Sequence, residues 1–271
     1  TIHHLAAAFP RGPDARRRAR AIVAGTRSVI ELAREAPRLR RVVHWSSIRA
    51  LGDRAGVVAE APLVRPTRFA TPDDRASYDA ERAAVTAMAH CPVTVLRVGH
   101  VVGGDRRGGD GDDTATALFR LVAQRASGFQ IPLPADGRGP LHVIPRAFAV
   151  VAADALARAP GAAGRVLHLL DPDPPTARAA LDRVATLTGR DPLRGSIPRG
   201  LAQVLLRAPG LERVAELPAA MLALVSARAR FERGDTQALL AAAGVAWPRF
   251  EEWIEAVVEG LAVTPAGPAP Q

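Results

Sequence analysis

Tyr78 and Arg82 stand four residues apart in a stretch, Ser77 to His90, whose composition is helical. On a helix that spacing puts a phenol and a guanidinium on one face. A neighbouring positive charge favours the phenolate. A phenol so tuned can pass a proton to or from a substrate oxygen while a hydride moves at carbon. Ser46 and Ser47 could orient that oxygen, because they end a strand-like run, Arg41 to Ser47 (RVVHWSS), at the sheet edge where open α/β folds place their ligands. From residue types and spacing alone, a site and an accidental neighbourhood are equally open.

Other chemistry-bearing residues invite plainer readings. His3, His4, His44, His100, His142 and His168 lie beside apolar runs and read as packed or hydrogen-bonded structural residues. Trp247, Phe250 and Trp253 have near-helical spacing, which suits a core better than an aromatic cage. Asp110, Asp112 and Asp113 could meet a cation but read as a solvated acidic loop. The single Cys91 cannot form an internal disulfide, and no Cys/His spacing of the zinc kind is present, so no metal site is expected.

The elements that would position these groups follow from the hydrophobic pattern. Ile2 to Ala8 is a short apolar run ending in small residues and broken by Phe9-Pro10-Arg11-Gly12-Pro13, as for a buried strand feeding a loop. Asp14 then caps a long Arg/Ala-rich helix that Pro37 stops. Strand character returns at Arg41 to Ser47 and at Pro92 to Val102, with the Ser77–His90 helix between them. Strands alternating with helices argue for parallel βαβ units. After Gly103 a Gly/Asp-rich loop opens an insertion that runs to about Pro140, with a helix near Thr114 to Ala126. Arg146 to Arg158 reads as helix and Arg165 to Leu170 as strand. Helices predominate from Thr176 to Leu261, and the Pro/Ala-rich tail from Thr264 reads as frayed.

With 271 residues and 48% hydrophobic composition the chain can bury a full core. Its apolar stretches are broken well short of a membrane span, and its first residues lack the order of a signal peptide. A cytoplasmic location is the expectation. The formal charge of +9 comes entirely from arginine, since the chain contains no lysine. Apart from the run Arg16, Arg17, Arg18 and Arg20, the arginines are dispersed among Asp and Glu. This reads as solvated helix faces in an Ala-, Pro- and Gly-rich sequence, with no nucleic acid as partner.

Several segments together resemble the extended short-chain dehydrogenase/reductase family, especially its acyl thioester and fatty acyl reductase branch. His4-Leu5-Ala6-Ala7 is similar to the family's H-x-A-A segment and Gly25-Thr26 to the Gly-Thr of the next helix. Ser46-Ser47-Ile48 through Gly52 resembles the strand that supplies the catalytic serine, and counting back five from Gly52 selects Ser47. Tyr78 matches the catalytic tyrosine, Leu96-Arg97-Val98-Gly99 the L-R-P-G strand beside the nicotinamide, and Leu141 to Val150 a later helix entry of the acyl-reductase branch. The closing run from Leu239 to Leu261 resembles the final helix pair of those reductases.

The resemblance implies an α/β fold: an incomplete doubly wound, Rossmann-like parallel sheet with a mostly helical C-terminal substrate part. It implies a dinucleotide-binding domain over residues 1–103 and 141–172, and a substrate part over 104–140 and 173–271. It also implies NAD or NADP as cofactor, held by Ala6, Ala7, Tyr78, Arg82, Val98, Gly99 and Val101. The catalytic set would be Ser47, Tyr78 and Arg82, with the two hydroxyls sharing one substrate oxygen. A small-molecule substrate, more hydrophobic than a nucleotide sugar, is expected, and a homodimer is compatible. Four positions depart from the pattern: Arg82 stands for the usual lysine, Ile22 for an asparagine, Val98 for a proline and Ala147 for an acidic residue. Arginine keeps the charge but aims its planar fork differently from an ammonium. The family's glycine-rich turn belongs to the first βα unit, whereas Thr1 matches the fourth strand, so the part that cradles the pyrophosphate would precede this sequence. Without it, cofactor binding by these 271 residues is expected to be weak. The alternatives are a degenerate member that binds a ligand or protein without turnover, and a nucleotide-sugar epimerase or dehydratase.

Overall fold

The computed structural model describes residues 1–5, 15–103, 114–126, 128, 132–198, 200–201 and 216–262, with only backbone described at 134–135, 216–219 and 262. The chain divides into two compact units. One comprises Thr1–His100, Ala147–Asp173 and Ala227–Trp247, and the other Val101–Arg146, Pro174–Ser226 and Pro248–Gln271.

The first unit is built on a parallel sheet of order β1-β2-β4-β8, formed by β1 (Ile2–His4), β2 (Val42–Ser47), β4 (Val93–Val98) and β8 (Val166–Leu169). Every residue of β4 is buried, as a strand covered on both faces requires. Helices α1 (Ala15–Arg34) and α2 (Pro72–Ala87) pack along each other where Ala76 and Ala80 of α2 meet Ile22, Ala19 and Val23 of α1. Their small side chains let the backbones approach. Helix α2 begins five residues before its expected start. Thr71 and Asp74 form a reciprocal capping box, and Pro72, which reads as a breaker inside a helix, is favourable in the first turn. Helix α4 (Arg146–Arg158) falls on its expected bounds. Two short strands were not legible: β3 (Gly56–Val58) pairs in parallel with β10 (Ala229–Phe231), and the helix α7 (Gly234–Ala242) follows β10 directly, within the stretch expected to be helical. The parallel sheet with flanking helices is the expected Rossmann-like α/β architecture.

The expected strand Pro92–Val102 is broken at Gly99 into β4 and β5 (His100–Val102), and β5 pairs with β7 (Val143–Pro145) instead of extending the main sheet. The second unit is mainly helical, with α3 (Thr114–Gln124), α5 (Ala177–Leu187), α6 (Glu216–Val225) and α8 (Phe250–Ala262), plus a two-residue pairing of β6 (Leu133–Pro134) with β9 (Ser196–Ile197). Phe119, Leu181 and Ile254 fill its core, and Phe250 meets Trp253 edge-on at 5.0 Å. Trp247 stacks instead on Phe148 within the first unit, at 4.5 Å. The expected Asp14 cap, the Gly/Asp-rich loop and the C-terminal tail lie outside the described residues. No described helix is long and apolar enough to cross a membrane.

Candidate functional site

Ser47 ends β2 and opens a 3-10 turn, Ile48–Leu51, by accepting the Arg49 N–H at 3.2 Å. Gly52 closes that turn at φ 60°, where a Cβ would stand 2.4 Å from the Arg68 carbonyl oxygen, so only glycine fits. Arg49 in turn reaches Asp74 at 2.6 Å and Thr71 at 3.1 Å, tying the turn to the start of α2.

Parallel register sorts the side chains at this edge into two faces. Ser46 lies beside Arg97 and His168, while Ser47 lies beside Val98 and Leu169, and successive strand residues point to opposite faces. Helix α2 covers the Ser46 face: the Ser46 hydroxyl donates to Glu81 Oε2 at 2.6 Å, and Arg97 donates to the same carboxylate from Nε at 3.0 Å and Nη2 at 2.6 Å. Arg97 is fully buried and Glu81 is 2% exposed. Arg97 also donates to the carbonyls of Ala59 at 3.3 Å and Ala61 at 2.6 Å, and to His168 Nε2 at 3.0 Å. His168 is therefore a neutral ring that donates from Nδ1 to the Glu232 carbonyl at 2.6 Å.

The expected catalytic residues differ in their surroundings. Tyr78 is buried, its ring 5.6 Å from that of Phe69, and among the described residues its hydroxyl has no hydrogen-bond partner. Arg82 points to solvent with 69% of its side chain exposed, its nearest carboxylate being Asp79 at 4.0 Å. Ser47 is half-buried and not hydrogen-bonded to Tyr78. The structure thus joins Ser46, not Ser47, to α2. Val98 and Gly99 are buried at the carboxyl end of β4, with the Gly99 N–H donated to Leu169 O at 3.2 Å, while Val101 is half-buried in the second unit. Ala6 and Ala7 lie outside the described residues. Val98 and Gly99 are the positions that the resemblance would put beside the nicotinamide of a dinucleotide. Nothing described corresponds to the pyrophosphate end.

Glu81 and Glu60 were missed as neighbours of this face, whereas His168 is the hydrogen-bonded structural histidine expected. The signal for Glu81 was present: an arginine in an otherwise mostly apolar, buried strand requires a buried carboxylate, and Glu81 stands among the buried alanines of α2.

The structural comparison gives the class of fold. The chain is similar to the terminal R domain of the myxalamid PKS-NRPS pathway, with 21% identity and a TM-score of 0.68 over 94% of this chain. It spans 65% of that domain, less than two thirds of its length. It is equally similar in TM-score, 0.68, to the UDP-glucuronic acid 4-epimerase of Bacillus cereus, solved with NAD, at 15% identity over 96% of this chain and 74% of the other. A dTDP-glucose 4,6-dehydratase of Bacillus anthracis, also solved with NAD, aligns at 15% identity and a TM-score of 0.62, covering 93% and 70% of the two chains. No protein-family model and no curated protein matches. The chain shares its fold with these structures, two of which were solved with NAD. Because an R domain and an epimerase fit equally, the likeness does not single out the acyl-reductase branch.

Proposed function

We propose that this chain is a ligand-binding relative of the NAD(P)-dependent epimerases, dehydratases and reductases, holding NAD or NADP and a small molecule at the carboxyl edge of the sheet without turnover through a tyrosine. The observation that carries this reading is the placement of Arg82. It is the cation that was to tune Tyr78, and it stands in water beside Asp79. An exposed guanidinium is screened by water and salt, so it interacts weakly with the side chain one turn away. The Arg97 guanidinium is committed to Glu81. Val98 and Gly99 would border the nicotinamide, which when bound supplies or accepts a hydride.

A second reading is an NAD(P)-dependent enzyme acting on a nucleotide sugar, a carbonyl or an acyl thioester, with Tyr78 as acid/base and Ser47 orienting the oxygen. It is favoured by the unpartnered Tyr78 hydroxyl. Arg82→Ala separates the two. Under the binding reading, calorimetry with NAD, NADP and a panel of these substrates should give dissociation constants within about twofold of the parent, as expected for an exposed ion pair. Neither protein should show turnover by nicotinamide absorbance. Turnover in the parent that falls at least about tenfold in Arg82→Ala would favour the enzyme, with Arg82 in the lysine's role.

A further inference from the structure

Strand β8 is the edge of the parallel sheet, and an uncovered edge presents backbone groups that invite pairing with another chain. Here a distant segment covers it. Ala227–Trp247 belongs to the first unit although the residues on both sides of it, Pro174–Ser226 and Pro248–Gln271, belong to the second. It therefore crosses over as a strap, with both ends anchored elsewhere in the chain.

Polar groups make most of the strap's described attachment. The Glu60 carboxylate accepts the N–H of Asp235 at 2.8 Å and of Thr236 at 3.3 Å, so it caps α7 from outside that helix. The same carboxylate accepts the Thr236 hydroxyl, and with it receives the edge N–H of His168, at 2.8 Å to Glu60 and 2.9 Å to Thr236. The His168 ring then holds the Glu232 carbonyl on one side and Arg97 on the other. Apolar contacts add to this: Ala229 and Phe231 join Leu51, Val58 and Leu170 in one cluster, Leu240 is buried and Trp247 packs on Phe148, while the β3-β10 ladder is only three residues long.

We propose that Ala227–Trp247 is a releasable strap latched by Glu60, which opens as a unit and uncovers the edge of β8 while the rest of the sheet stays folded. Segments attached through short ladders and polar groups at a sheet edge open below the global unfolding free energy. A single carboxylate serving four donors concentrates that opening in one residue. This inference does not depend on whether the protein turns over a substrate.

Hydrogen exchange on the full chain tests it. Glu60→Ala should reduce protection of residues 229–242 by about a hundredfold, while β2 and β4 keep theirs, since four donors lose a charged acceptor. Glu60→Gln, which retains one acceptor oxygen, should lose about tenfold. Thr236→Val, a milder change that leaves Glu60 in place, should also loosen 229–242 selectively. Equal loss of protection in the strap and in β4, or no change in Glu60→Ala, would overturn the proposal. If Glu60→Ala does not fold, the Gln and Val variants decide by the same criterion.

Discussion

Glu81→Ala is expected to destabilise the protein by about 3–5 kcal/mol, because it leaves the Arg97 guanidinium buried without its counter-charge. At this chain length that corresponds to a fall in Tm of roughly 10 °C, read by thermal or denaturant unfolding. The lost partners explain the size. Glu81 neutralises Arg97 and also accepts the Ser46 hydroxyl, so one truncation orphans groups on β2 and β4 together. Buried pairs are costly to break but often cheap to replace whole. The double variant Glu81→Leu with Arg97→Met should therefore recover most of the loss, whereas Arg97→Met alone should not. Glu81→Ala within about 1 kcal/mol of the parent would mean that the pair is not buried in solution.

The second large effect is a dependence on acid. His44 is 2% exposed on β2, and among the described residues its Nδ1 has no hydrogen-bond partner. Burial, and to a lesser degree the neighbouring His4, lower its pKa from 6.5 to about 3. The sign follows from which state takes the proton. Above pH 6.5 the ring is neutral in both states and costs nothing. Below it the unfolded chain binds a proton that the folded chain refuses, so stability falls until the folded pKa is reached near 3. At about 1.4 kcal/mol per pH unit, His44 alone should remove about 3 kcal/mol between pH 6.5 and 4.5. His44→Leu should abolish that part of the slope, measured by urea unfolding across this range. Parallel slopes for parent and variant would show that His44 is reached by solvent.

The parallel sheet, its strand-helix alternation and the bounds of α4 were legible because they depend on local pattern. Residues 93–98 have no polar alternation except Thr94 and Arg97, which marks a strand covered on both faces. The strap was not legible, since three-residue strands such as β3 and β10 carry no period and their pairing joins positions more than 170 residues apart. The shared helix side of Tyr78 and Arg82 was legible, but not the surroundings of each. Their spacing does place them along one side of α2, but that side runs from the buried interior at Tyr78 to open solvent at Arg82, a gradient that periodicity alone does not report. Similarly, Ser46 and Ser47 look equivalent in sequence. Only register against Arg97 and Val98 shows that they face opposite sides of the sheet.

Tyr78→Phe is the most direct measurement of the central claim, because Tyr78 is the only tyrosine in the chain and the substitution removes only its hydroxyl. With NAD(H) or NADP(H) and a panel of nucleotide sugars, carbonyls and acyl thioesters, parent and variant should bind the same ligands alike and show equal, background rates of nicotinamide conversion. Turnover in the parent that is abolished in a folded Tyr78→Phe protein would contradict the account and make Tyr78 the acid/base of an enzyme.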